Sequence, residues 1–482
     1  VLLHFELRGV RRRLKDAPPA VWAVLAAALL AGALLRCGRA PRHEVFYDEY
    51  EHADIAANVA RTGHFAETLA GGPPDLSIYD LPSWPGAFHA LLALPVRLGA
   101  DAERLAFGVN ALLGTLTVAL VFGAAALAFE SGWAGAAAAV LWALWPDHVR
   151  LSAAGDLTPF SNLWLAAALL AAAARRPWLL ALCCACAVNT RFENLALLPF
   201  AAWLLGRERR SGALTLACLA ALPPMALILL NRGSGIPGFT AGAGESLRSL
   251  GENLLGDLRL GRWDWLCVAA LAAACALQPR SRRPALLLAA VSAAYLLGTS
   301  AFYRGVMDGP QARYSLAVLL PLVVAAGGGA AALAARRGRP WAAALVLAAF
   351  GLCLRPWAPG EDTPNLVQDR FVREAAASLP ADALVLSFNP QAVLIPARHA
   401  AAAPWLLNEP AVAERAKSGL IVFEDWAWRE KGASLEKDLR ARYDWKELAR
   451  GGAPSKPAAF WALTPKPAKK ISALERRAPP RR

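Results

Sequence analysis

Long apolar runs, each closed by a short polar turn, recur along this chain from residue 20 to residue 356. A bilayer crossing needs about 20 apolar residues. The pattern predicts spans near 20–37, 104–129, 132–150, 158–174, 177–190, 193–206, 212–231, 263–278, 284–300, 314–335 and 340–356. That is about eleven spans. The runs 177–190 and 193–206 are short and read as a hairpin whose tip is "NTRFEN". Another run, "WPGAFHALLALPVRLG" at 84–99, is short and holds Pro85 and Pro95. It reads as a helix lying in the outer interface.

Charge fixes the threading. Arg11–Arg13 with Lys15, Arg175–Arg176, Arg207 with Arg209–Arg210, Arg280 with Arg282–Arg283, and Arg336–Arg337 with Arg339 all lie in the turns. Cytoplasmic loops carry such basic excess. If 84–99 stays outside the bilayer, every one of these clusters falls on the cytoplasmic side. The expected protein is therefore multi-pass in a bacterial inner (plasma) membrane, with a cytoplasmic N-terminus. The basic start of the chain is followed by no small-residue cleavage site, so the first run reads as an uncleaved span.

Beyond residue 356 the pattern changes. "DALVLSF", "GLIVFEDWAW" and "AAFWALTPK" read as strands, and "DRFVREAAASL" and "AVAERAKSG" as helices. The expected organisation is a transmembrane domain over 1–356 and a small extracytoplasmic α/β domain over 357–482. The last stretch, "PKPAKKISALERRAPPRR", reads as a disordered basic tail.

Composition agrees: 56% of residues are hydrophobic. The net charge of +14 sits in turns and tail, which argues against nucleic acid as a partner. The eight cysteines all fall in or beside apolar runs and read as small buried hydrophobes, with no disulfide framework or zinc spacing.

With this threading the unusual polar residues gather on the outer side. Five histidines (His43, His52, His64, His89, His148) fall between 43 and 148. "DEYEHADIAANVARTG" reads as a helix ending at Gly63, with Asp48 and Glu51 placed as a capping box. Capping is the plain role for Asp48, and a solvated face the plain role for Glu51 and Asp54. His52, four residues after Asp48, is expected to pair with it or to contact substrate. Capping leaves the adjacent Asp48–Glu49 pair unexplained. A carboxylate there can take a proton from a hydroxyl or hold a divalent cation. Arg191 and Glu193 are expected to pair in the hairpin tip. His148 and Arg150 read as snorkelling at a span end, and Trp84, Trp142, Trp145 and Trp263 as interfacial anchors. Tyr79 and Asp80 read equally as plain loop or as lining of a substrate site.

In order along residues 20–336, "YDEYEHADIAANVARTGHF", "PSWPGAFHALLALPVRLG", "RLAFGVNALLGTLTVALVFGAAALAF", "WALWPDHVRLSAAGD" and "QARYSLAVLLP" resemble GT-C glycosyltransferases. The closest group is glycosyltransferase family 39, which includes protein O-mannosyltransferases and lipid A aminoarabinose transferases. The resemblance implies the GT-C fold. It implies transfer of a sugar from a polyprenyl-phosphate donor to a hydroxyl of a glycan, lipid or protein acceptor on the outer face, at the membrane lipid surface. It implies Asp48 as base or metal-proximal acid with Glu49 beside it, Asp156 as the second-loop acid, and Arg313 with Tyr314 for the leaving phosphate. Arg150 and Arg304 are further substrate-binding candidates. A magnesium or manganese ion held by Asp48 and Asp156 is implied as well. The family often has Ser-Arg where this chain has Ser152–Ala153. The competing readings are a transporter or flippase of lipid-linked sugars, and a non-catalytic scaffold. A transporter is expected to carry mid-span charges, and a scaffold has no need of the acid-rich first loop.

Overall fold

The computed structural model describes residues 17–39, 48–72, 76–82, 84–207, 210–230, 248, 263–302, 312–337 and 364–466. His43, Arg304, the basic N-terminus, the expected span at 340–356, Cys353 and the basic tail lie outside the described residues, as does the Trp263 side chain. The chain divides into two compact units. One comprises 1–66 and 81–361, the other 67–80 and 362–482.

The first unit is helical. In chain order it holds α1 (Pro19–Arg39), α2 (Asp48–Thr62), α3 (Ala87–Arg97), α4 (Ala102–Ala128), α5 (Gly132–Leu144), α6 (Pro146–Leu151), α7 (Thr158–Ala173) and α8 (Pro177–Val188). A 3₁₀ turn (Phe192–Ala196) leads into α9 (Leu197–Arg207). Then follow α10 (Ser211–Leu219), α11 (Leu222–Leu230), α12 (Trp263–Ala276), α13 (Arg282–Phe302) and α14 (Ala312–Arg337). Local chemistry sets the boundaries. Asp101 caps α4 by accepting from the Arg104 N–H, and Ser131 caps α5 by accepting from the Ala134 N–H. Prolines open α6 and α8, where a missing N–H costs nothing.

Three helices among the described residues are long and apolar enough to cross a membrane: Pro19–Gly38, Ala102–Ala128 and Arg313–Arg336. Several apolar helices of 10–17 residues accompany them, α3 among them. The protein is a membrane protein in whose bundle core alanine is the commonest buried residue. The "GGG" of α14 shows why small residues are needed. A Cβ on Gly329 would lie 1.8 Å from the Leu271 carbonyl oxygen of α12, so only glycine lets the two helices meet at this distance. Trp142 and Trp145, expected at the interface, are instead wholly buried in this core. Their rings pack on His148 and Trp265 respectively.

The second unit is an α/β fold built on one sheet of seven strands. Its elements are β1 (Glu67–Gly72), β2 (Leu76–Asp80), α15 (Pro364–Ala376), β3 (Leu384–Leu386), α16 (Gln391–Ala397), β4 (Ala401–Ala402), α17 (Pro410–Ala416), β5 (Leu420–Glu424), α18 (Trp426–Lys431), α19 (Ala433–Arg442), β6 (Tyr443–Ala453) and β7 (Lys456–Pro465). The strand order is β2-β1-β4-β3-β5-β7-β6. The central strands β4, β3 and β5 are parallel, and the flanking pairs are antiparallel. The hairpin β1–β2 comes from the loop after α2. It joins the sheet through Ala70 opposite Ala402 and Gly71 opposite Ala401. The Ala403 N–H donates to Leu69 O at 2.7 Å, and Gln391 Nε2 donates to Thr68 O at 2.8 Å.

Candidate active site

In the first unit, residues far apart in sequence meet at the ends of four elements. Asp48 opens α2, Asp156 lies between α6 and α7, Arg191 follows α8, and Arg313 sits in the first turn of α14. A cation at a helix N-terminus is disfavoured by the helix dipole, so Arg313 needs acidic partners. It has two. Its Nη1 donates to Asp48 Oδ2 and, at 3.1 Å, to Asp156 Oδ2.

Asp156 is the hub. Its Oδ1 accepts from the Thr158 N–H at 2.5 Å, from the Thr158 hydroxyl, and from Arg191 Nη1 at 3.3 Å. Burial would raise this carboxyl. The Arg191 and Arg313 guanidiniums and the Thr158 hydroxyl outweigh it and hold the group well below the usual carboxylate range. Arg191 also binds Glu193 at 3.2 Å, as its place in the hairpin tip predicts. The Tyr314 ring lies under both arginines, 4.9 Å from the Arg191 guanidinium carbon and 5.2 Å from that of Arg313. Arg191, Glu193, Arg313 and Tyr314 border a small cleft, lined further by Thr158, Ser161, Asn162, Asn194 and Ala317. Asn194 is fixed there by bonds to Ser161, to Ala187 O and to the Tyr295 hydroxyl.

His52 does not pair with Asp48. Its Nδ1 lies 3.1 Å from His89 Nε2, and its ring meets Trp84 and Phe88 edge-on. Burial pushes this imidazole down to about 3, so it is neutral and has no call for a carboxylate. Glu51, read as a capping-box member, accepts from Trp84 Nε1 at 2.9 Å. Glu49 is buried beside Asp48.

Among the other sequence candidates, Arg150 pairs with Asp147 at 3.8 Å on α6, and the cluster around Asp156 does not include it. Tyr79 lies exposed on β2 of the second unit. Arg191 enters as a direct partner of Asp156, which the hairpin-tip reading had not joined to the second loop. Asp48 and Asp156 share one guanidinium, and no group of three His, Cys, Asp or Glu side chains among the described residues has metal-binding geometry.

The chain shares its fold, the GT-C fold, with solved membrane glycosyltransferases. One solved structure with this fold is ArnT from Cupriavidus metallidurans bound to undecaprenyl phosphate. It is 15% identical, with a TM-score of 0.57, and the match covers 92% of this chain and 98% of that one. The oligosaccharyltransferase of Archaeoglobus fulgidus, in complex with Zn and sulfate, matches with a TM-score of 0.51 and 14% identity. That match covers 88% of this chain and 71% of that one. No family model and no curated protein matches the sequence.

Proposed function

We propose that the protein is a glycosyltransferase that moves a sugar from a polyprenyl-phosphate donor to an acceptor hydroxyl on the outer face of the bacterial inner membrane. The observation that carries the reading is the sharing of Arg313 between Asp48 and Asp156 beside a polar cleft. The GT-C fold, seen in ArnT with undecaprenyl phosphate bound, supports it.

The chemistry follows from that sharing. The acceptor oxygen attacks the anomeric carbon. The bond from that carbon to the phosphate oxygen breaks, and the phosphate leaves with the electron pair. Arg313 turns toward the departing phosphate and stabilises its charge. Asp48, released from that bond, is free to take the proton that the acceptor hydroxyl gives up. Asp156 stays ionised and holds Arg191 and Arg313 in place, while Tyr314 supports both guanidiniums. Glu49 backs Asp48, and His52 shapes the wall behind it.

The test is turnover by purified protein in lipid nanodiscs, scored as release of polyprenyl phosphate from labelled polyprenyl-phosphate sugars. Asp48→Asn is expected to lose at least about 10²-fold in rate, the usual cost of removing a general base. Wild-type turnover by Asp48→Asn would end the assignment of the base. Absence of release from every donor tried would end the reading itself.

A further inference from the structure

Arg36 is wholly buried in α1, within a helix long and apolar enough to cross a membrane. No carboxylate among the described residues pairs with it. Its Nη1 donates to Gly32 O at 2.8 Å and to Ala143 O at 3.1 Å. Ala143 stands in the last turn of α5, where carbonyls lack helical partners and the dipole is negative. Nη2 lies 2.6 Å from His148 Nδ1. A guanidinium only donates, so Nδ1 accepts, and the imidazole is neutral with its proton on Nε2. The His148 ring lies 4.4 Å from Trp142.

From His148 the bonding runs on toward Asp156. The His148 carbonyl accepts from the Ser152 N–H at 3.0 Å and the Ser152 hydroxyl at 2.5 Å. On the other side α4 closes in. A Cβ on Gly114 would stand 2.2 Å from Ser152 Oγ and 2.9 Å from Arg36 Nε, so glycine is required there. One turn earlier, Asn110 Nδ2 donates to Ala154 O at 2.6 Å and Asp156 O at 2.7 Å. Residues 152–156 are thus held between α4 and the Arg36–His148 pair, and the held segment ends at Asp156.

Burying an arginine without a carboxylate is costly, and an apolar residue of similar volume would generally serve stability as well or better. We propose that Arg36 and His148 form a positioning pair that fixes the second external loop and, through it, the Asp156 carboxylate. The functional part of this inference rests on the transferase reading above; the ordering of the loop does not.

Two measurements on the full chain separate them. In His148→Leu, hydrogen exchange across 152–157 is expected to speed at least about tenfold. In His148→Gln, whose Oε1 can accept from Arg36, protection returns. In the donor assay, His148→Leu is expected to lose at least about tenfold in kcat, with KM within about twofold, and His148→Gln to recover most of it. A purely structural role would lower the melting temperature of His148→Leu and leave loop exchange and the turnover of folded protein unchanged. That result overturns the pair. So does a His148→Gln as slow as His148→Leu, which would assign the effect to ring volume. If His148→Leu does not accumulate, Arg36→Lys decides. One ammonium cannot replace both bonded nitrogens, so it must show the same loss. Asp156→Asn is assayed alongside: wild-type turnover there would sink the role of Asp156 while leaving the exchange result standing.

Discussion

Arg313 makes its two acidic bonds through a single nitrogen, Nη1, with the Tyr314 ring beside its guanidinium. Lysine would keep the charge but lose the planar fork that meets a phosphate with two donors. Arg313→Lys is expected to bind undecaprenyl phosphate at least about tenfold more weakly, about 1.4 kcal/mol, with expression unchanged. Affinity within twofold of wild type would remove Arg313 from phosphate binding. Asp48 stood out in the sequence as one of a cluster of acids beside an apolar run, whereas Asp156 and Arg313 were singled out only through the family resemblance. Their partnerships were not legible. Arg191 reaches Asp156 across 35 positions and Arg36 reaches His148 across 112, and a single sequence carries no signal of such pairings. Arg36 was hidden further by its place at the end of a run, where an arginine ordinarily snorkels.

At the level of elements, period and caps located most helices, because a long apolar run leaves the backbone little alternative in lipid. The break in pattern after residue 356 located the strands β3, β5 and β7. The hairpin β1–β2 was missed. Its strands are six and five residues long, glycine-rich in one case, and read as external loop. One helix terminus gives a pH prediction. Asp425 caps α18 by accepting from the Trp428 N–H at 2.9 Å, while its buried Oδ2 has no hydrogen-bond partner. Burial lifts its carboxyl from 3.8 to about 6, so the folded unit holds the proton more tightly than the unfolded chain. The stability tied to this proton is full below about pH 4 and is lost as pH rises through about 6. Above that the second unit is weaker by about 3 kcal/mol. Asparagine keeps the capping oxygen and cannot ionise. Asp425→Asn should raise protection of β5 and α18 against hydrogen exchange at pH 7.5, after correction for intrinsic rates, and change almost nothing at pH 3. An equal pH slope in wild type and variant would refute this.

For the whole molecule, the instructive feature is that the second unit draws its sheet from two distant parts of the chain. Residues 362–482 supply five strands, and 67–80 supply the two that finish one side. A chain stopped after Glu361 would leave β1 without β4, with Leu69 O and Thr68 O unbonded on that flank. Chymotrypsin is expected to cut such a chain after Tyr79 at least about tenfold faster than the full chain, because open segments are cleaved in proportion to their exposure. Equal resistance would mean that the hairpin stands without the sheet. The arrangement also has a cost counted in time. Gly71 must pair with Ala401, about 330 residues later, and a ribosome adding 5–20 residues per second needs roughly 15–65 s to make that stretch. Throughout that interval the loop bearing Asp48 is already made and its hairpin is an open β-edge. Such an edge invites pairing with a neighbouring nascent chain. Slowing synthesis should therefore lower the yield of this protein, where for most multidomain chains slower synthesis helps each domain settle before the next arrives.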